Sequence, residues 1–157
     1  MMSVSEIFER DLERTAVHEA AHLIVHRQFG GGGWITLREN PDADFHEEPL
    51  VLGRATLSRL DDNGHRMTGL AGVCAEHLLD DYQADGREIF DLLEYGDIEM
   101  SATDADMTGD YHAGHVDQVL NILRANWSEV QRYAGYEIAK FTRVAMRPEY
   151  NQPMRTK

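Results

Sequence analysis

Hydrophobic positions along the chain keep a helical period over most of its length and a strand period in one short stretch. Ser3, with Glu6 three residues later, makes a capping-box pattern. Behind it Phe8, Leu12, Ala16 and Leu23 recur at near-helical spacing, with no Pro or Gly before Gly30. Gly30 to Gly33 ends that helix. Trp34 to Arg38 alternates apolar and polar, as a half-buried strand does, and Pro49 to Ser58 supplies a second strand. The two are expected to pair into a small sheet, with the polar loop opened by Asn40, Pro41 and Asp42 on the surface. After Asp61-Asp62-Asn63-Gly64 the period turns helical again, and Met67, Leu70, Ala71, Cys74 and Leu78 form a core-facing stripe. Ile89 to Leu93 predicts a short helix, and Ser101 with Asp104 predicts the N-cap of another. Val116, Val119, Leu120, Leu123 and Trp127 form a further stripe. Ser128 with Gln131 reads as the capping box of a last helix to Val144, packed by Val130, Ala134, Ile138 and Phe141. Pro148 and Pro153 predict a loose C-terminal tail over 148–157. The expected fold class is mainly α with a small β-sheet, as a single domain over 1–147.

Charge changes this picture more than composition does. The chain has 157 residues, 42% hydrophobic and 27% charged, which suits one globular domain with its own core. Its net charge of -13 is unevenly spread: residues 1–30, 31–110 and 111–157 stand at -2, -14 and +3. An acidic surface of this kind repels a phosphate backbone, so no nucleic acid is expected as partner. A single Cys74 excludes an internal disulfide and any Cys-rich zinc module, and fits a reducing compartment. No apolar run approaches the ~18 residues of a membrane span, and no signal-peptide pattern opens the chain. A cytoplasmic protein is expected.

The sharpest chemical signal is His18-Glu19-Ala20-Ala21-His22. On a helix His18 and His22 lie one turn apart on one face, so both imidazoles reach one ion. Zinc accepts neutral His nitrogen, needs a third protein ligand and leaves one position to water. Glu19, beside the first His, is then placed to take that water's proton. Eight His and fourteen Glu in random order give only about 0.04 matches to this pattern.

The stretch Thr15-Ala-Val-His-Glu-Ala-Ala-His-Leu-Ile-Val25 resembles the opening helix of the peptidase domain of FtsH-type proteases, the ATP-dependent zinc metalloproteases of bacterial and organelle membranes. Leu70-Ala-Gly-Val-Cys-Ala-Glu-His-Leu78 is similar to that family's Leu-Ala-Gly-Arg-Ala-Ala-Glu-Glu-Leu helix. Ser101-Ala-Thr-Asp104 resembles its Ala-Ser-Asn-Asp segment, and the stretch around Trp127 its closing helices. The resemblance spans roughly residues 10–145. It implies that His18, His22 and Asp104 are zinc ligands, that Glu19 is the general base, and that an extended peptide or unfolded protein is the substrate, lying beside the small sheet. The chain departs from the family at Ala21 and Val73, where Gly and Arg are usual. It also has no Gly-x-x-x-x-Gly-Lys segment and no membrane anchor. The expectation is therefore a stand-alone zinc metallopeptidase acting on flexible chains or on chains brought by a delivery partner. The alternative is a catalytically silent zinc-binding protein that holds a peptide or protein.

Asp106 and Glu76 are rival third ligands. Asp106 points roughly 200° away from Asp104 on a helix, and Glu76 is either a ligand or a carboxylate that orients a ligand His. His26, a further turn along, reads as a surface or packing residue. His112 and His115, three apart, form at most a minor metal pair, while His46, His65 and His77 carry no pattern. Cys74 reads as a small core residue.

Overall fold

The Ser3 cap and the glycine run bound the longest helix. In the computed structural model, which describes residues 2–43 and 49–145, α1 spans Val4–Gln28, and the Ser3 and Glu6 side chains each accept from the other's backbone N–H. It stops at Phe29, and Gly30 follows at φ 91°, a left-handed conformation that favours glycine. Strands β1 (Gly33–Glu39) and β2 (Val51–Leu57) pair antiparallel, with Trp34 opposite Thr56 and Arg38 opposite Leu52. Helices α2 (Asp62–Asp80), α3 (Gly86–Glu94), α4 (Ala102–Thr108), α5 (Ala113–Ala125) and α6 (Trp127–Ala145) complete the order. The protein is mainly helical with one two-stranded sheet.

α1 is the spine of the fold: it packs on α2, α6 and both strands. Leu23 of α1, Ile35 of β1, Leu70 of α2, and Leu120 and Leu123 of α5 share one fully buried cluster. Truncating any of these leucines to Ala costs about 2–5 kcal/mol. The α2 stripe of Met67, Leu70, Ala71, Cys74 and Leu78 is buried throughout, and burial pushes the Cys74 thiol up to about 12. Asp61, Asp85 and Ser101 cap α2, α3 and α4 through their side-chain oxygens.

The junction of α5 and α6 differs from the sequence expectation. The Asn126 side chain donates to Ile122 O at 2.8 Å, while its backbone carbonyl accepts from Val130 N–H at 3.0 Å. One residue thus ends one helix and starts the next. Ser128 consequently lies inside the first turn of α6 and has no terminus to cap. Trp127 opens α6 and turns edge-on to Tyr82, with ring centroids 6.0 Å apart. The tail over 148–157 and His46 lie outside the described residues. Among the described residues, no helix is long and apolar enough to cross a membrane.

Candidate metal centre

Helical spacing brings the two motif histidines together, and the α4 cap adds the third group. The His18 and His22 Nε2 atoms are 3.1 Å apart. Asp104 Oδ2 lies 3.0 Å from the first and 3.2 Å from the second. Asp104 is the third residue of α4; its N–H donates to Ser101 Oγ at 3.1 Å, and its carbonyl accepts from Thr108 Oγ1 at 2.7 Å. The same cap that starts the helix therefore orients the carboxylate.

What faces the other ring nitrogens decides what the three atoms are. His22 Nδ1 sits 2.7 Å from Thr68 O, an atom that only accepts, so this nitrogen donates and carries the proton. His18 Nδ1 sits 2.6 Å from Glu76 Oε2 and likewise donates. In its neutral form each imidazole then presents a lone pair at Nε2, beside the lone pairs of a carboxylate. Three acceptors at these separations repel one another unless a metal cation, or in its absence a second proton on His18 Nε2 donated to Asp104, stands between them. Zinc bonded at about 2.0–2.1 Å with tetrahedral angles sets its ligand atoms about 3.3 Å apart. The donor set of two His nitrogens and one carboxylate oxygen, each pair within about 0.3 Å of that edge, fits zinc.

The electrostatics agree with a site built for positive charge. Burial by itself would depress His18, but the Asp104 and Glu76 carboxylates overrule it and raise it to about 10. Burial would raise Asp104, yet its hydrogen bonds with His18 and His22 hold it well below the usual carboxylate range. Burial raises Glu19, with His18 and His22 pulling the other way.

Glu19 does not share in that network. It has no hydrogen bond among the described residues and lies against β2, where a Cβ added at Gly53 would come within 2.6 Å of its Cγ. His18, Glu19, His22 and Asp104 all line one groove of about 830 Å3, whose opposite wall is formed by Thr36, Arg38 and the length of β2 from Leu52 to Ala55. Beyond Glu19 a smaller hollow of about 300 Å3 continues past Thr15 and Asp11. The pairing of Ser58 N–H with Gly32 O and Asn40 N–H with Leu50 O fixes which backbone groups face inward. Residues 52, 54 and 56 turn their N–H and C=O toward β1, whereas Gly53 and Ala55 turn theirs away from it. Val51 O is already taken by the Thr15 hydroxyl at 3.2 Å.

The rival ligands fall elsewhere. Glu76 is held on the far side of the His18 ring and contacts its Nδ1, not the converging atoms. Asp106 is exposed on the opposite side of α4 and borders a separate hollow with Asp62 and His65. His26 is fully buried, donating through Nε2 to Ser58 O at 2.8 Å and meeting Thr68 Oγ1 at 3.0 Å, so it is a packing residue. His112 caps α5 and stacks on His115 at 3.8 Å. His77, Asp81 and Glu88 bring ligand atoms within 4.8 Å of one another, the two acids being exposed.

Three supporting residues stand outside the candidates that the sequence singles out. A Cβ at Gly72 would run into the His18 imidazole, so glycine is what lets that ring pack against α2. Gly53 gives Glu19 its place in the same way, and Thr68 holds His22 through a backbone carbonyl that any residue type supplies. Gly72 falls inside the Leu70-Ala-Gly block, which was the available clue. No protein-family model matches the chain, and no curated protein sequence matches it.

Proposed function

We propose that the protein is a zinc-dependent metallopeptidase, related in its site to the FtsH-type peptidase domain, that cleaves extended or unfolded polypeptide. The observation that carries this reading is the convergence of three ligand atoms, from His18, His22 and Asp104, beside a Glu19 that has no hydrogen bond among the described residues, in an open groove. Zinc, held by His18 Nε2, His22 Nε2 and Asp104 Oδ2, would supply a Lewis acid that acidifies water and polarises the scissile carbonyl.

The remaining steps belong to the chain. Backbone groups of Gly53 and Ala55 point away from β1 and offer hydrogen bonds to a substrate strand added at that edge. Glu19, at the Gly53 position of the same edge, takes a proton from the attacking water at its carboxylate and returns it to the leaving amine nitrogen. The carboxyl raised by burial is suited to this exchange, because a stronger base takes the water's proton more readily and can still pass it to the more basic leaving amine. Glu76 and Thr68 O fix the two imidazoles with Nε2 forward throughout.

The test is elemental analysis of the untagged protein together with cleavage of a flexible substrate such as casein. About one zinc per chain is expected, lost in both His22→Ala and Asp104→Ala. Glu19→Gln is expected to retain zinc and lose about 10²–10⁴-fold in turnover. Unchanged hydrolysis in that variant removes Glu19 from its role. Zinc bound by a wild type that cleaves nothing leaves the peptide-holding reading in its place.

A further inference from the structure

The segment from 31 to 110 carries nineteen acidic and only five basic side chains, so where its arginines go is informative. Arg66 donates to the Asp110 carbonyl and Arg87 pairs with Asp91. Arg59 has no such partner among the described residues but lies outside the groove. Arg38 and Arg54 do neither. Both are exposed, both line the groove that holds Glu19, and neither has a hydrogen bond or ion pair among the described residues. They are also neighbours. Arg38 stands opposite Leu52 and Arg54 opposite Thr36, so the two arginines share the outer face of the sheet as a diagonal cross-strand pair. Diagonal Cα atoms lie about 7–8 Å apart, which lets two long guanidinium arms converge on one anion, with Leu52 as an apolar floor between them.

We infer that Arg38 and Arg54 form a carboxylate-binding subsite that selects an Asp or Glu side chain in the bound polypeptide. The inference rests on the reading of the groove as a peptide cleft. A strand laid along β2 presents every second side chain on the outer face. The residue opposite Gly53 points inward, toward Glu19, and the residues on either side of it point outward, beside Leu52 and Arg54. The acidic residue therefore falls next to the position facing Gly53. Guanidinium groups without a partner among the described residues meet a carboxylate through paired N–H donors, the geometry for which arginine is suited. Within the acidic stretch from 31 to 110, at net -14, such a pocket also discriminates, since its surroundings repel an acidic segment.

A carboxylate reaches this place from a side chain or from a chain terminus, and the experiment separates them. Zinc-loaded Glu19→Gln protein is titrated with short fluorescein-labelled peptides that carry Glu at successive positions, each matched by its Gln counterpart. Every peptide is made with a free and with an amidated C-terminus, and binding is read by anisotropy. The best Glu peptide, amidated, is expected to bind about tenfold tighter than its Gln twin, with the difference shrinking as salt is added. Arg38→Gln/Arg54→Gln, checked for helix content and zinc, is expected to bind both twins alike. Arg54→Glu is expected to favour the matching Lys peptide. Equal binding of Glu and Gln twins by the Glu19→Gln protein, or a preference that survives in the double variant, overturns the inference. A preference that needs the free C-terminus overturns it in favour of terminal-carboxylate recognition. Cleavage is scored separately in wild type. Peptides cut without acidic preference sink the subsite and leave the peptidase reading standing, whereas acidic preference without cutting does the reverse.

Discussion

Gly72→Ala sets two rules against each other. In a helix interior the change from Gly to Ala ordinarily stabilises by about 0.5–1 kcal/mol, because the unfolded chain loses freedom. At position 72 the new methyl lands on the His18 ring, among Cε1, Nε2 and Cδ2. Restoring van der Waals contact requires the imidazole to retreat by about 1 Å. Metal–ligand distances tolerate about 0.2 Å, so His18 ceases to be a ligand in that geometry. The expected loss is at least about 100-fold in zinc affinity, or about 2.7 kcal/mol. In chelator-treated protein the helix gain is offset by overpacking of about 1–3 kcal/mol, leaving a net loss of at most about 2.5 kcal/mol. Gly135→Ala is the matched control: it lies in α6, where an added Cβ meets nothing within 4 Å. That variant is expected to gain about 0.5–1 kcal/mol and keep its zinc affinity. Competition against a chromophoric chelator reads the affinity, and urea unfolding reads the stability. If Gly72→Ala binds zinc within about threefold of wild type, the placement of His18 against α2 is wrong.

Two further outcomes follow from the groups around the centre. Glu76→Gln removes the charge facing His18 Nδ1 and is expected to weaken zinc binding about 10–100-fold while the fold persists; unchanged affinity in the same competition assay would show that Glu76 is only a helix-surface acid. In protein kept free of metal by chelator, His18 is raised to about 10 from an ordinary value of 6.5. A raised imidazole stabilises fully below its unfolded value and loses that contribution as pH climbs toward the folded one, so the thermal midpoint is expected to fall between about pH 6.5 and 10. A midpoint that rises across this window contradicts the pairing.

The elements of this fold were legible where one residue did two jobs. Ser101 announces a helix start, and the same cap turns Asp104 toward the histidines, so an argument about capping also located the third acidic group. The His18–His22 spacing is legible because helical geometry alone puts the rings together. Glu76 was ambiguous because its helix and position were readable but the ring nitrogen it meets was not. Thr68 and Gly53 were hidden for a different reason: one acts through a carbonyl common to all residues, the other through the absence of atoms. The Ser128 cap fails because α6 already begins at Trp127, directly after Asn126, whose carbonyl accepts the first helical bond from Val130 N–H. Arg38 and Arg54 fall within the two expected strands, but their adjacency depends on cross-strand register, which the loop between the strands leaves open.

The three converging atoms come from residues 18, 22 and 104. A growing chain emerges from the N-terminus, and α1, the sheet and α2 can all be made before Asp104 exists. Until α4 has docked on α2 the two histidines lack their carboxylate, however well the first helix has formed. The long span that must close makes the centre a timer on synthesis. On the proposed peptidase reading, cleavage would be withheld from the half-made protein, including the unfolded stretches of its own chain within reach.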